Sequence, residues 1–180
     1  MNSTKNKKNP KKIIWGISGA GRFLEESVDQ IKELSKENKI TVLLSKAGDE
    51  TIKMYKQTDK LQGIDIISGK EQGYSYSFSG DLSLGKYDHL IISPCSANTA
   101  AKLAHGISDT LLTNSASQAL KSGTKVSVVP TDLGESSKSK TPNGEEVVLK
   151  HRKVDQENIE KLKEDGINIF ESPEELMKEV

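Results

Sequence analysis

A single cysteine, Cys95, stands among 180 residues. That excludes an intrachain disulfide and any thiolate metal cluster, and a reducing cytoplasm is the simplest home for such a chain. Neither sign of charge prevails: 26 Lys and Arg balance 26 Asp and Glu, for a formal net charge of +0. A balanced chain gives no global argument for nucleic acid or an anionic membrane surface as partner. No apolar run approaches the ~20 residues needed to cross a bilayer. Residues 1–12 are polar and lysine-rich without an apolar stretch, so they do not read as a secretory signal. Residues 1–11 are expected to form a disordered basic tail and residues 12–180 a single domain. His89 and His151 are isolated, and no set of His, Cys and carboxylates shows metal-ligand spacing. His105 ends a helical segment, where it offsets the dipole.

What is present is an alternation of short apolar runs with longer helical segments, the signature of a parallel sheet. Strands are predicted at 13–15, 40–44, 64–67, 89–92, 126–129 and 167–170. The run at 40–44 is almost unbroken in its apolarity, as a strand buried on both faces requires. Phe23, Leu24, Val28, Ile31 and Leu34 share one helical face. Further helices are expected from 47–49 onward, over 97–105, 109–120 and 155–164, and over 172–180, where Ser172-Pro173-Glu174-Glu175 reads as a start signal. Residues 68–85, rich in Gly, Ser and Tyr, read as a loop over a site, with Tyr74 and Tyr76 as candidate contacts. Residues 130–144 read as a second loop, followed by a short extended piece at 145–149. Lys138 and Lys140 in that loop are solvated cations or contacts for an acidic donor protein.

In an open parallel sheet, ligands bind beyond the carboxyl ends of the strands, beside the switch point. Three predicted ends carry hydroxyls, glycines and small residues. The first holds Gly16, Ser18 and Gly19, with Arg22 just beyond. Its glycines can turn N–H groups towards an anion, and the next helix offers its positive end. Its order, Gly-x-x-Gly-x-Gly, is neither the dinucleotide fingerprint nor a Walker motif; a tight strand-to-helix turn is the plain alternative. The second is Ser45-Lys46, where a dinucleotide site would place an acid for the ribose. A hydroxyl and a cation suit phosphate better, which favours a mononucleotide such as FMN over NADP; a solvated lysine is the plain alternative. At the third end Pro94 fixes the backbone. Ser96 and Thr99 supply hydroxyls, Asn98 supplies an amide, and Ala97 admits a flat ring. Helix capping is the alternative there.

Ser93-Pro94-Cys95-Ser96-Ala97-Asn98-Thr99 resembles the Pro-Ala-Ser-Ala-Asn-Thr motif of the homo-oligomeric FMN flavoproteins. That superfamily includes phosphopantothenoylcysteine decarboxylase, the lantibiotic peptide cysteine decarboxylases and the flavin prenyltransferases. Lys102-Leu103-Ala104-His105-Gly106-Ile107-Ser108-Asp109-Thr110-Leu111-Leu112-Thr113-Asn114 is similar to its Lys-Ile-Ala-x-Gly-x-Ala-Asp-x-Leu-Leu-Thr run. Trp15-Gly16-Ile17-Ser18-Gly19 and Leu44-Ser45-Lys46-Ala47-Gly48 resemble its two phosphate-side loops. The first loop, Ser-Lys-Ala-Gly and Val-Val-Pro-x-Asp look most like the branch of archaeoflavoproteins and acceptor-dependent dihydromethanopterin reductases.

The resemblance implies a three-layer α/β/α sandwich with a mostly parallel, Rossmann-like or flavodoxin-like sheet. It implies FMN as cofactor and a homotrimer or a multiple of it, with the flavin site at subunit contacts. It further implies electron transfer from a separate ferredoxin-like or nicotinamide donor to a small acceptor such as a pterin. Gly16, Ser18, Gly19 and Ser45 would then hold the phosphate beside Lys46. Pro94, Ser96, Ala97, Asn98 and Thr99 would set the ring, with Arg22 and Asn114 on the flavin side. Asp109 would cap its helix or meet a neighbouring subunit's flavin loop. No side chain acts as a catalyst in this reading, and Cys95, where the family usually has Ala, fills a small space. With 4% aromatic residues, the flavin must be held mainly by backbone, hydroxyls and small residues. The decarboxylases carry a histidine after the second strand and a Pro-x-Met-Asn-x-x-Met-Trp clamp. Residues 46–61 hold no histidine, and Pro130-Thr131-Asp132-Leu133-Gly134 replaces the clamp. Some reductase relatives insert a Cys-rich ferredoxin segment at that place, which this chain lacks. The alternatives are a flavin-dependent cysteine decarboxylase or prenyltransferase on the same scaffold, and a non-enzymatic flavin electron shuttle.

Overall fold

The strands are β1 (Lys12–Ile17), β2 (Lys39–Leu44), β3 (Asp65–Ser68), β4 (His89–Cys95), β5 (Lys125–Pro130), β6 (Ser136–Lys140), β7 (Glu146–Lys150) and β8 (Asn168–Ile169). The helices are α1 (Leu24–Leu34), α2 (Lys46–Met54), α3 (Ser79–Ser83), α4 (Ala97–Ala104), α5 (Leu111–Ser122), α6 (Lys153–Glu164) and α7 (Pro173–Leu176). This computed structural model describes residues 9–71 and 78–180. Residues 1–8 of the expected tail, and Tyr74 and Tyr76, lie outside the described residues.

Six strands form one sheet in the order β3-β2-β1-β4-β5-β8, and every pairing in it is parallel. The alternation of side chains along β1 explains the layers. Ile13, Trp15 and Ile17 point to the face covered by Val28 and Ile31 of α1, Ile52 of α2 and Leu176 of α7. Ile14 points to the opposite face, against Leu112 and Ala116 of α5 and Leu162 of α6. Helices on both faces of a parallel sheet make the fold a doubly wound α/β/α sandwich. Burial on both faces accounts for the continuous apolar runs of β1, β2 and β4, in which every residue after the first of β1 and β2, and all of β4, is buried.

The order reverses between β1 and β4, and there the chain is clasped. The fully buried Ser18 hydroxyl donates to the Pro94 carbonyl at 2.8 Å and accepts the Ser96 N–H at 2.7 Å. The Ser18 N–H reaches the same carbonyl at 3.2 Å. Lower down, the indole of Trp15 donates to the Ser93 carbonyl at 2.7 Å, and the Ser27 and Ser93 hydroxyls meet at 2.8 Å. On the other side of β1, Ser45 N–H donates to Ile17 O at 3.1 Å. Gly48 lets α2 settle on β1, because a Cβ there would stand 2.2 Å from the Ile17 carbonyl.

Several expectations change. Lys11, placed in the tail, is tied down: its N–H donates to Asn38 Oδ1 at 3.1 Å and its carbonyl accepts from Lys39. Gly16 lies within β1 rather than in a turn, since the strand runs on to Ile17. The loop expected over 68–85 contains the end of β3 and the short α3, whose Leu82 is buried against the core. The loop expected over 130–144 is half of an antiparallel hairpin, with Lys138 opposite Val148. Its Ser/Lys sequence gives little strand signal because only one face is covered. The last helix stops at Leu176 instead of running to the end, because only Pro173 and Leu176 of that helix are buried.

Two expected outcomes test this framework. Ser18→Ala removes the acceptor of the Ser96 N–H and one donor to Pro94, and should cost about 1–2 kcal/mol, read as a fall in the thermal midpoint. His89 is buried against Ser127, its Nε2 2.8 Å from Ser127 Oγ. Burial first, then Lys125 and Lys11, lower its pKa from 6.5 to about 4. The unfolded chain therefore takes up this proton at a higher pH than the folded one. Stability from this group is complete above about pH 6.5 and declines as pH falls towards 4, by on the order of 3 kcal/mol. His89→Gln should flatten that part of the stability–pH curve in urea titrations, and an unchanged slope would assign the acid sensitivity to other groups.

Candidate functional site

The carboxyl ends of β1, β2 and β4 open on one cleft of about 610 Å3, within the range of small-molecule sites. Two helices start at its wall. Ser45 caps α2, its Oγ accepting the Gly48 N–H at 2.9 Å. Ser96 caps α4, its Oγ accepting the Thr99 N–H at 3.4 Å and lying 3.1 Å from the Thr99 hydroxyl. Each cap leaves other first-turn N–H groups without intrahelical partners, so both helices present positive ends. The first turn of α4 contains no acid. That of α2 contains Asp49, whose carboxyl is held below the usual range first by its hydrogen bond to Lys53, with Lys70 acting the same way.

The sequence candidates separate into two groups. Gly19, Ser45, Lys46, Ser96, Asn98, Thr99 and Asp109 line the cleft. Gly19 comes close to α2, where a Cβ on it would stand 2.4 Å from the Ala47 Cβ. Ala97, the first residue of α4, stands in the chain between the lining residues Ser96 and Asn98 and is not itself one of them. The others do not reach it. Gly16 is buried in β1, where a Cβ would stand 2.9 Å from Leu112 Cδ2, so its glycine serves packing. Ser18 is wholly engaged in the clasp, and Pro94 contributes its carbonyl to that clasp from a buried position. Asn114 is the fourth residue of α5, one turn beyond the cleft wall formed by Leu111.

Arg22 belongs elsewhere. Its Nη1 donates to the Thr131 carbonyl, and its guanidinium stacks 4.2 Å from the centre of the Phe23 ring. It lines a second cleft of about 300 Å3, with Glu25 and Glu26 of α1 and Lys138 and Lys140 of the hairpin. The start of α1 thus opens away from the main cleft, and the two acids in its first turn already offset its dipole. Of the first loop, Gly19 lines the main cleft and Arg22 the second. Asp109 does not cap α5; Thr110 does, in a reciprocal bond with Thr113. Asp109 pairs instead with Lys102, whose Nζ reaches both carboxylate oxygens at 2.8 Å.

Ala47, inside the second phosphate-side loop, also lines the cleft, whereas sequence reasoning did not single out Gly69, Ala101, Lys102, Thr110 and Leu111 as cleft residues. Lys102 stands four residues after Asn98, one helical turn on, which is a legible signal. Gly69 follows β3, whose end was not among the three weighed. Cys95 lies behind the wall with no exposed surface, and burial, then Asp132, push its thiol well above the usual range. A thiol so placed is not a nucleophile at neutral pH.

The chain is 44% identical over 131 residues to dihydromethanopterin reductase (acceptor) of Methanocaldococcus jannaschii, covering 67% of this chain and 53% of that protein. It is 39% identical over 141 residues to the protein of the same name from Methanosarcina mazei, covering 73% of this chain and 59% of that one. The chain thus spans little more than half the length of these curated relatives. Among solved structures, Burkholderia xenovorans DmrB in complex with FMN, described as a cubic protein cage for redox transfer, superposes with a TM-score of 0.81 at 30% identity. That match covers 96% of this chain and 94% of the DmrB chain. The Flavoprotein family matches residues 1–179. With the family match running almost end to end and the motif-bearing strand ends meeting in one cleft, this chain is a member of the Flavoprotein family.

Proposed function

We propose that the chain is an FMN-dependent oxidoreductase that passes electrons from a separate donor, a ferredoxin-like protein or a reduced nicotinamide, to a small acceptor of the dihydropterin class. The observation that carries this reading is the meeting of two capped helix N-termini at one cleft. The names of the reductase relatives and the FMN complex of DmrB support it.

The donor set fits FMN. Backbone N–H groups at the start of α2, with Ser45 and the exposed Lys46, suit a phosphomonoester. Asn98 offers both a donor and an acceptor to a ring edge that carries both, and the Ser96 and Thr99 hydroxyls adapt to either. Gly19, Ala47, Gly69 and Ala101 keep the walls low enough for a flat ring. When bound, FMN supplies reversible two-electron chemistry. The side chains position it, exclude water on the strand-end side and hold no covalent role; Cys95 is sealed beneath them. The acceptor change takes two electrons from the donor and two protons from solvent into the N5=C6 bond of a 7,8-dihydropterin, forming N5–H and C6–H.

We infer a trimer-based homo-oligomer around this site. Ile107, 47% exposed, sits two residues from Asp109 at the cleft rim, and an apolar side chain there is suited to a subunit contact. The cage described for DmrB supports the same reading.

Anaerobic titration of FMN-loaded protein is the decisive experiment. Reduced ferredoxin should bleach the flavin spectrum, and a 7,8-dihydropterin should restore it. Release of carbon dioxide from a cysteinyl peptide would transfer the chain to the decarboxylases instead. Asn98→Leu should weaken FMN binding by about tenfold, measured by equilibrium dialysis; unaltered affinity would remove Asn98 from the ring edge. Cys95→Ala should keep flavin content and turnover near those of the parent protein, and full loss of turnover would give the thiol a role.

A further inference from the structure

The β6–β7 hairpin has one covered edge and one open edge. β6 is the inner strand, where the Tyr55 hydroxyl donates to the Lys140 carbonyl at 2.8 Å. The ladder is bounded by the Thr141 N–H on the Glu145 carbonyl and the His151 N–H on the Glu135 carbonyl, each at 2.9 Å. In an antiparallel pair, bonded positions alternate with positions whose backbone groups point away from the partner strand. Counted from either bond, Glu146, Val148 and Lys150 are the outward positions of β7. Among the described residues their N–H and carbonyl groups have no backbone partner. Such an edge is a template for another strand.

The side chains on this edge favour a particular strand. Val148 is 67% exposed and the adjacent Leu149 47%. Glu146 and Lys150 stand two places to either side of Val148 and share its face of the ribbon. Neither forms an ion pair with a described residue. Charge of one sign along an edge repels a second copy. Opposite signs at mirror positions make Glu146-Val147-Val148-Leu149-Lys150 complementary to itself. With a second copy laid antiparallel and Val148 against Val148, Glu146 meets Lys150 of the other copy at both ends. Val147 then meets Leu149 on the opposite face. The same register sets outward N–H groups against outward carbonyls, so hydrogen bonding, apolar contact and charge all select it. A slip by one residue would turn the N–H and carbonyl groups of one strand away from the other.

We propose that the outer edge of β7 is a docking surface for a second copy of this chain, joining two hairpins into one continuous sheet with Val148 on a two-fold axis. The contact is isologous, the same patch serving both copies. A strand pair of this length is smaller than the ~1,200 Å2 of a stable interface. It therefore holds through repetition: a trimer presents the edge once per subunit, and joined trimers engage several edges together. The contact itself needs neither flavin nor trimer, so it stands apart from the reductase reading.

The test is the mass of the full chain in solution, by sedimentation velocity and native mass spectrometry. The parent protein should assemble in an even number of copies. Lys150→Glu places Glu against Glu across the axis and should cut the mass to half or less, and Glu146→Lys should do the same. The double variant Glu146→Lys/Lys150→Glu exchanges the partners and should restore the parent mass. Val148→Pro removes an outward N–H without touching the β6–β7 ladder, and serves as the dividing variant if the charge variants fold poorly. Val148→Cys adds a thiol at the axis, where the Cα atoms of a bonded pair lie about 5.5 Å apart, within reach of a disulfide. Because Cys95 is sealed, mild oxidation should link Val148→Cys chains in pairs, and Leu149→Cys chains, whose thiols lie diagonally, far less. A parent of odd copy number, single charge variants of unchanged mass, a double variant that stays divided or unlinked Val148→Cys chains would overturn the inference. Flavin content and turnover report on the reductase site separately, so either reading can fail alone.

Discussion

The cleft depends on the buried hydroxyl of Ser18, which faces a carbonyl on one side and an amide N–H on the other. A parallel sheet whose order reverses leaves a gap between the two strands at the reversal, because their connections depart to opposite faces. Here that gap lies between β1 and β4, and the Ser18 side chain spans it beyond the Trp15 indole, which donates to Ser93 lower down. The Ser96 N–H that Ser18 receives belongs to the cap of α4, so the clasp sets where that helix starts. On the other flank, Gly48 and the Ser45 N–H set the start of α2 against the end of β1. Two helix N-termini are thus aimed at one volume by contacts that lie behind it.

The electrostatics of this end of the sheet follow from the same arrangement. α1 begins with two glutamates in its first turn and opens on the second cleft. α4 begins with Ala97, Asn98 and Thr99 and opens on the first. The α2 and α4 ends carry Asp49 as their one first-turn acid, and Lys46 stands beside them, an arrangement better suited to an anion than the start of α1. The formal net charge of +0 hides this separation, because it arises from placement and not from excess. Beneath the wall, Cys95 is kept as a thiol by burial, and the site owes its chemistry to what it binds.

Much of this was legible along the chain. The apolar runs of β1, β2, β4 and β5 announce strands buried on both faces, and the hydroxyl- and glycine-rich residues after them announce ligand-facing ends. Ser45, Lys46, Ser96, Asn98 and Thr99 were found this way and line the cleft. Gly16, Ser18, Arg22 and Asn114 carried the same motif signal but face elsewhere. A motif marks a neighbourhood, and a residue in it can serve the ligand or the wall behind the ligand. The β6–β7 hairpin was illegible because Ser and Lys on a ribbon covered on one side carry no apolar period.

Composition and spacing by themselves determined the parallel α/β class of fold, three of the strand ends that border the cleft and the exclusion of an intrachain disulfide and a thiolate cluster. These follow from local periodicity and from counts, which need no knowledge of distant neighbours. Tertiary structure alone decided that Ser18 is a clasp, that Arg22 serves a second cleft and that Lys102 holds Asp109. The partners of Ser18 lie 76 and 78 residues away, and that of Arg22 lies 109 residues away. Lys102 and Asp109 are only seven residues apart, but the break between α4 and α5 removes the helical geometry that would have predicted their contact.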